Sequence, residues 1–265
     1  MSDSKRYYSA IIMIAAVILL LEKGGVTAFY ITAFALAVFS LNELRNLFIK
    51  NNVVIPRIPL IFFGIGAVYY FSLILDSKML PVLFFTAFTV FLSFKLKSLS
   101  SKNGFFERIF FFIFSVLFIS VPLACLINIR QSDNGLVYIY LILVATWASD
   151  TGAYLVGKKW GKRKMSPSIS PNKTLEGLAG GIFLTIGVFV LWHLYDSISI
   201  LSAVLLGIVV SLSATAGDLL ESFLKRNAGV KDSGSLIPGH GGILDRIDAL
   251  LFTAPVWYIF MKFFL

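Results

Sequence analysis

Long apolar runs separated by short polar breaks organise this chain. Runs that approach the ~20 residues needed to cross a hydrocarbon core lie near 7–21, 26–42, 58–75, 79–95, 105–128, 136–157, 176–195, 199–220 and 247–265. The pattern predicts an all-α, polytopic integral membrane protein with nine transmembrane helices. Several runs fall short of a full crossing, which points to a thinner membrane region, tilt of neighbouring helices, or ends that lie beyond these bounds. The first run follows Lys5-Arg6, as a secretory signal would. Leu21-Glu22-Lys23 then stands where a small-residue cleavage site should be, so the run is expected to be a retained span.

Basic residues give an independent check, because Lys and Arg favour cytoplasmic loops. With nine spans, 19 of the 23 basic residues fall on one side; Lys23, Lys78, Arg130 and Lys262 fall on the other. The expected topology has a cytoplasmic N-terminus and an outside C-terminus. The net charge of +9 is then a property of the cytoplasmic rim, suited to anionic headgroups and not to nucleic acid.

Composition agrees. The chain is 58% hydrophobic and 14% charged, with a mean hydropathy of +0.87, against about half apolar and about a quarter charged in soluble domains. Cys125 stands alone in an apolar run, so no internal disulfide forms and a packing role is expected.

The chain divides into two regions. Residues 1–135 are bland spans, expected to serve as scaffold and as lipid or dimer contacts. Gly64, Gly66, Ala33, Ala35 and Ala37 suit close helix packing, and Phe105-Phe106 and Phe110-Phe111-Phe112 read as lipid-facing or interfacial aromatics. Residues 136–265 bring ionisable groups into or beside the spans, where they are costly and usually functional. The long polar loops at 158–174 and 222–246 face the same compartment in this topology, the cytoplasm, which suggests one site built from both.

Asp150 lies in Ser149-Asp150-Thr151-Gly152, at the cytoplasmic part of the sixth span. Asn172-Lys173-Thr174 precedes the seventh. Ser170 or Asn172 is a candidate helix cap, and Lys173 could meet a phosphate there. No Walker-type Gly-x4-Gly-Lys-Ser/Thr is present. Asp218 and Glu221 are three apart and share a helix face. Asp245 and Asp248 are also three apart. Asp218, Asp245 and Asp248 are expected at one membrane level, where like charges need cations. Their all-oxygen donors suit Mg²⁺, and two histidines with one cysteine do not make a structural zinc site. Gly239, Gly241 and Gly242 flank His240 and would open backbone N–H groups to phosphate. Carboxylates, a metal, Lys, Arg and glycine-rich backbone together suit phosphoryl or nucleotidyl transfer.

The run from Ser222 through Lys225-Arg226, Lys231-Asp232, Gly234, Pro238-Gly239-His240-Gly241-Gly242 and Asp245-Arg246 to Asp248 resembles the signature of the phosphatidate cytidylyltransferase (CDP-diacylglycerol synthase) family, bacterial type. Ser149–Tyr154 and Ser170–Gly177 also resemble family elements. The resemblance implies transfer of the cytidylyl group of CTP to phosphatidate, with Mg²⁺, alone or with a second cation, in phospholipid biosynthesis at the bacterial inner membrane. Asp218, Asp245 and Asp248 are then expected to hold the metal. Lys173, Lys225, Arg226, Lys231 and Arg246 would bind phosphates, and His240, Gly241 and Gly242 the triphosphate. Asp150, Asn172 and Glu221 would order the site or touch substrate. A helix-lined membrane face also suits a homodimer. Two other readings compete: a related enzyme activating an isoprenoid or ether lipid, and a cation-coupled transporter. The second lacks the inverted repeat common in transporters.

Overall fold

A computed structural model describes residues 3–75, 104–196, 198–237, 239 and 241–265. The described chain is mostly helical: α1 (Asp3–Lys23), α2 (Gly25–Lys50), α3 (Arg57–Ile74), α4 (Phe105–Gln131), α5 (Gly135–Trp160), α6 (Leu175–His193), α7 (Ile200–Asn227), α8 (Leu244–Ile247) and α9 (Leu250–Phe264). Among the described residues, seven segments are long and apolar enough to cross a membrane: α2 to α7, and Leu244–Phe264 taken together. The first predicted span lies within α1, and the one predicted at 79–95 lies outside the described residues.

The chain forms two compact units. One comprises Met1–Asp133 with Leu224–Ile247, the other Asn134–Phe223 with Asp248–Leu265. In the first, α2, α3 and α4 pack on one another around Leu41, Leu44, Phe48, Val68, Phe114 and Phe118, all buried. Polar ties cross this apolar packing. The Ser120 hydroxyl donates to the Gly64 carbonyl at 2.9 Å and the Asn128 amide to the Ser72 carbonyl at 3.2 Å. Such bonds satisfy groups that lipid cannot. Gly64 does face a close neighbour, the Leu41 side chain, but Gly66 faces open space and Ala35 is exposed. Phe105 and Phe106 are exposed, as lipid-facing aromatics should be. Phe111 is instead a core residue, its ring 4.5 Å from that of Phe48.

In the second unit α5 and α6 form the most extensive pair. Glycines let the backbones approach. A Cβ on Gly177 would lie 2.8 Å from the Ala153 carbonyl oxygen, and one on Gly181 2.8 Å from that of Ser149. The pattern is the small-residue packing typical of membrane helices. Ser149 and Ser211 hydroxyls meet at 2.8 Å in the interior. Tyr138, Phe189, Trp192 and Trp257 form an aromatic cluster, with Phe189 and Trp257 stacked at 5.6 Å.

Two expectations change here. The loop at 158–174 holds a small antiparallel hairpin, β1 (Lys164–Ser166) and β2 (Ser170–Thr174), that pairs Lys164 with Thr174 and Ser166 with Ser170. A polar segment leaving a helix must pair its backbone groups, and in a two-stranded sheet Pro171 can occupy a strand without breaking a central ladder. Second, α7 runs seven residues past Leu220, to Asn227. Phe223 and Leu224 continue its apolar face, and Lys225-Arg226 suit the negative end of a helix. Asp218, Glu221, Lys225 and Arg226 are therefore all helical.

Candidate functional site

In the second unit, β2 presents Lys173 and α7 presents Asp218. Lys173 Nζ lies 2.6 Å from Asp218 Oδ2, and the aspartate side chain keeps 35% of its surface exposed. Ser222, one helical turn on, donates to Asp218 Oδ1 at 3.2 Å. The hairpin that carries Lys173 is fixed at both ends. Thr174 caps α6, its hydroxyl accepting from Gly177 N–H at 3.1 Å. Glu176 accepts from the backbone N–H groups of Lys162 and Arg163 at 3.0 and 3.1 Å. The cap is thus Thr174, the last residue of β2, and not Ser170 or Asn172, which stand earlier in that strand. Capping needs a side chain at the residue before the first helical turn, and the strand runs up to that point.

Gly217, beside Asp218, has no room for a side chain: a Cβ would lie 2.5 Å from the Asp248 carbonyl oxygen. The backbone of Asp248 thus packs against α7 next to Asp218. The Asp248 carboxylate accepts from the Ala249 N–H at 2.7 Å. The expected single helix face for Asp245 and Asp248 is not formed, because α8 ends at Ile247 and Asp248 sits in the turn that follows. Glu221 is fully buried on α7. Asp150 on α5 and Asn172 on β2 are exposed.

In the first unit, Lys225 Nζ lies 2.6 Å from Asp245 Oδ1, with side-chain exposures of 12% and 5%. The other oxygen, Asp245 Oδ2, receives the Ser233 N–H at 2.9 Å, the Ser233 hydroxyl at 3.0 Å and the Gly242 N–H at 2.7 Å. Gly241 adopts φ +81°, and a Cβ there would lie 2.5 Å from Asp245 Oδ2. Only glycine combines that backbone with that approach. The N–H of Gly242, expected to face phosphate, is held by Asp245. Arg226 donates to the Val230 carbonyl at 3.0 Å, while Lys231 and Arg246 are exposed. His240 lies outside the described residues.

One residue of this network was not a candidate from the sequence. Glu43, on α2, accepts from the Ser233 hydroxyl at 2.8 Å and from the Ile243 and Leu244 N–H groups, both at 2.9 Å. The only signal for it was an acidic residue directly after the apolar run that ends at 42.

Among the described residues, no three His, Cys, Asp or Glu side chains are arranged as a metal cluster. The donor chemistry at Asp218 nevertheless suits a hard cation: an oxygen ligand, partly exposed, already facing a positive charge. At Asp245 both oxygens are engaged by four donor groups.

These elements define a polytopic α-helical membrane protein whose late half carries two lysine–aspartate pairs. The chain belongs to the cytidylyltransferase family, whose pattern matches residues 4–264. It is 43% identical over 167 residues to a phosphatidate cytidylyltransferase of Bacillus subtilis (strain 168), a match covering 62% of each chain. It is 33% identical over 269 residues to the phosphatidate cytidylyltransferase of Staphylococcus haemolyticus (strain JCSC1435), covering 97% of this chain and 98% of that one. The Staphylococcus aureus (strain COL) protein of the same name is 36% identical over 263 residues, with the same coverage.

Proposed function

We propose that this protein transfers the cytidylyl group of CTP to phosphatidate, releasing pyrophosphate and forming CDP-diacylglycerol. The observation that carries the reading is the near full-length match to two proteins named for that activity. The Lys225–Asp245 pair inside the signature run supports it, as does the pair of Lys173, in the family-like 170–177 segment, with Asp218.

The reaction forms a bond between a phosphatidate phosphate oxygen and the α-phosphorus of CTP. The bond from that phosphorus to the bridging oxygen of the leaving pyrophosphate breaks. Phosphatidate is already an oxyanion at neutral pH, so no strong general base is needed. Rate enhancement then comes from positioning and charge neutralisation. Asp218 and Asp248 would hold Mg²⁺, which would neutralise phosphate charge. Asp245, whose Oδ1 now faces Lys225, would be the third ligand. A second cation is compatible with this donor set. Lys173 would leave Asp218 for a substrate phosphate oxygen. Lys225, Arg226, Lys231 and Arg246 would bind the remaining phosphate charge, with Gly241, Gly242 and His240 near the triphosphate. Asn172, Asp150 and Glu221 would order these groups.

The proposed topology has nine spans, a cytoplasmic N-terminus, an outside C-terminus and a cytoplasmic active site in the bacterial inner membrane. The seven described spans support a polytopic protein, and α1 with the run at 79–95 would bring the count to nine. The 19-to-4 distribution of basic residues supports the orientation. CTP would arrive from water and phosphatidate from lipid. The helix-rich surface would also suit a homodimer.

Purified full-length protein in phospholipid nanodiscs tests the activity. Pyrophosphate release from CTP should require both phosphatidate and Mg²⁺. Release with an isoprenoid or ether-lipid phosphate but not with phosphatidate would reassign the acceptor. No release with any lipid phosphate would overturn the reading.

A further inference from the structure

Glu43 belongs to the half of the chain that carries only bland spans in its sequence. It lies on α2 within the unit that also contains residues 224–247, and it is 8% exposed. A buried carboxylate in such surroundings is costly unless it is well hydrogen-bonded. Glu43 is: Oε1 receives the Ile243 N–H, and Oε2 receives the Leu244 N–H and the Ser233 hydroxyl. All three donors come from the signature segment, at positions 233 and 243–244. One carboxylate therefore pins both ends of the stretch 233–244.

The fit is close on two further sides. A Cβ on Gly234 would lie 2.7 Å from Glu43 Oε1, and one on Gly242 would overlap Oε2. The two glycines are needed because the carboxylate occupies the space where their side chains would stand. Ser233 Oγ lies 2.8 Å from Glu43 Oε2 and 3.0 Å from Asp245 Oδ2. The one hydroxyl thus bridges the two carboxylates, and Lys225 supplies the nearby positive charge. Glu43 thus acts on Asp245 through Ser233 and through the backbone of residues 242–244.

We infer that Glu43 is a positioning residue for cytidylyl transfer. It holds Ser233 and the 243–244 backbone in place so that Asp245 and Lys225 keep their geometry, without touching substrate itself. The inference rests on the cytidylyltransferase reading for its kinetic consequence and on geometry alone for its structural one.

The chemistry makes Glu43→Gln a sharp test. An amide keeps the size but offers one accepting oxygen, and it turns an N–H₂ toward donors that need an acceptor. Full-length Glu43→Gln in nanodiscs is expected to lose about tenfold or more in kcat. KM for CTP and for phosphatidate should change far less, and hydrogen exchange at the amides of Ile243 and Leu244 should accelerate. Glu43→Asp keeps two accepting oxygens and should retain more kcat than Glu43→Gln. If Glu43→Gln does not fold, Ser233→Ala serves instead: it removes the shared hydroxyl while leaving α2 intact, and should lower kcat and speed the same exchange. Wild-type kcat, KM and exchange in Glu43→Gln, or in Ser233→Ala where the first does not fold, would overturn the inference. A lowered thermal midpoint with unchanged kcat would overturn it too, because Glu43 would then serve only the fold. If the wild-type protein turns over no lipid phosphate, the activity reading fails. The exchange comparison then still decides whether Glu43 holds the segment.

Discussion

Two lysine–aspartate pairs, each at 2.6 Å, look alike as distances and differ in every other respect. Asp218 is about a third exposed, with Lys173 on one oxygen and a serine hydroxyl on the other. Asp245 is nearly sealed, and four donor groups fill its oxygens. The first pair joins a hairpin to a helix; the second joins the end of α7 to α8. A partly exposed ion pair contributes little to stability and can exchange partners. A buried one is expensive to break because the charge left behind has no solvent. The same residue types thus stand in opposite surroundings: Asp218 is open to solvent, while Asp245 is enclosed by its donors.

The largest expected effect separates the pairs by activity. Asp218→Asn should lower Mg²⁺-dependent pyrophosphate release by at least about a hundredfold and leave thermal unfolding close to wild type. Unchanged turnover would remove Asp218 from the chemistry. Next comes stability. Asp245→Asn leaves Lys225 without its carboxylate in a site with little solvent, a change costing about 3–5 kcal/mol. Thermal unfolding in detergent should show a clear drop, with faster hydrogen exchange at residues 233 and 242. If Asp245→Asn and Asp218→Asn unfold alike, the contrast between the pairs is wrong.

Smaller changes sharpen it. Gly241→Ala forces a side chain into left-handed backbone, at about 1–2 kcal/mol, and against Asp245 Oδ2. The unfolding midpoint should fall by less than in Asp245→Asn. Thr174→Ala removes only the α6 cap, a loss of about 1 kcal/mol. The hairpin carrying Lys173 should fray in hydrogen exchange, and KM for CTP should rise with little change in kcat.

Much of the architecture was legible in the sequence because each apolar run exceeds what a soluble helix needs. The run predicted at 176–195 matches α6 within two residues at either end. The helices that outlast their apolar runs were harder. α2 continues to Lys50 and α7 to Asn227, and these extensions carry Glu43, Lys225 and Arg226. A hydropathy pattern marks where lipid ends, not where the helix ends. The hairpin at 164–174 was illegible for a related reason: Ser-Pro-Asn-Lys-Thr has no strand-like alternation, and only tertiary context makes it pair. The carboxylates of the late half were recognisable from charge within apolar surroundings. Glu43 was not, since its partners stand about 190 and 200 positions away. Its role depends on a fold that no local window contains.

The proposed role of Asp218 as a ligand for a divalent cation sets the two aspartates apart most directly. Manganese titration of the purified protein in nanodiscs, followed by electron paramagnetic resonance, reads this directly. The wild-type protein should show a tight Mn²⁺ site that Mg²⁺ displaces and that Asp218→Asn abolishes. Retention of that site at wild-type affinity in Asp218→Asn would contradict that role.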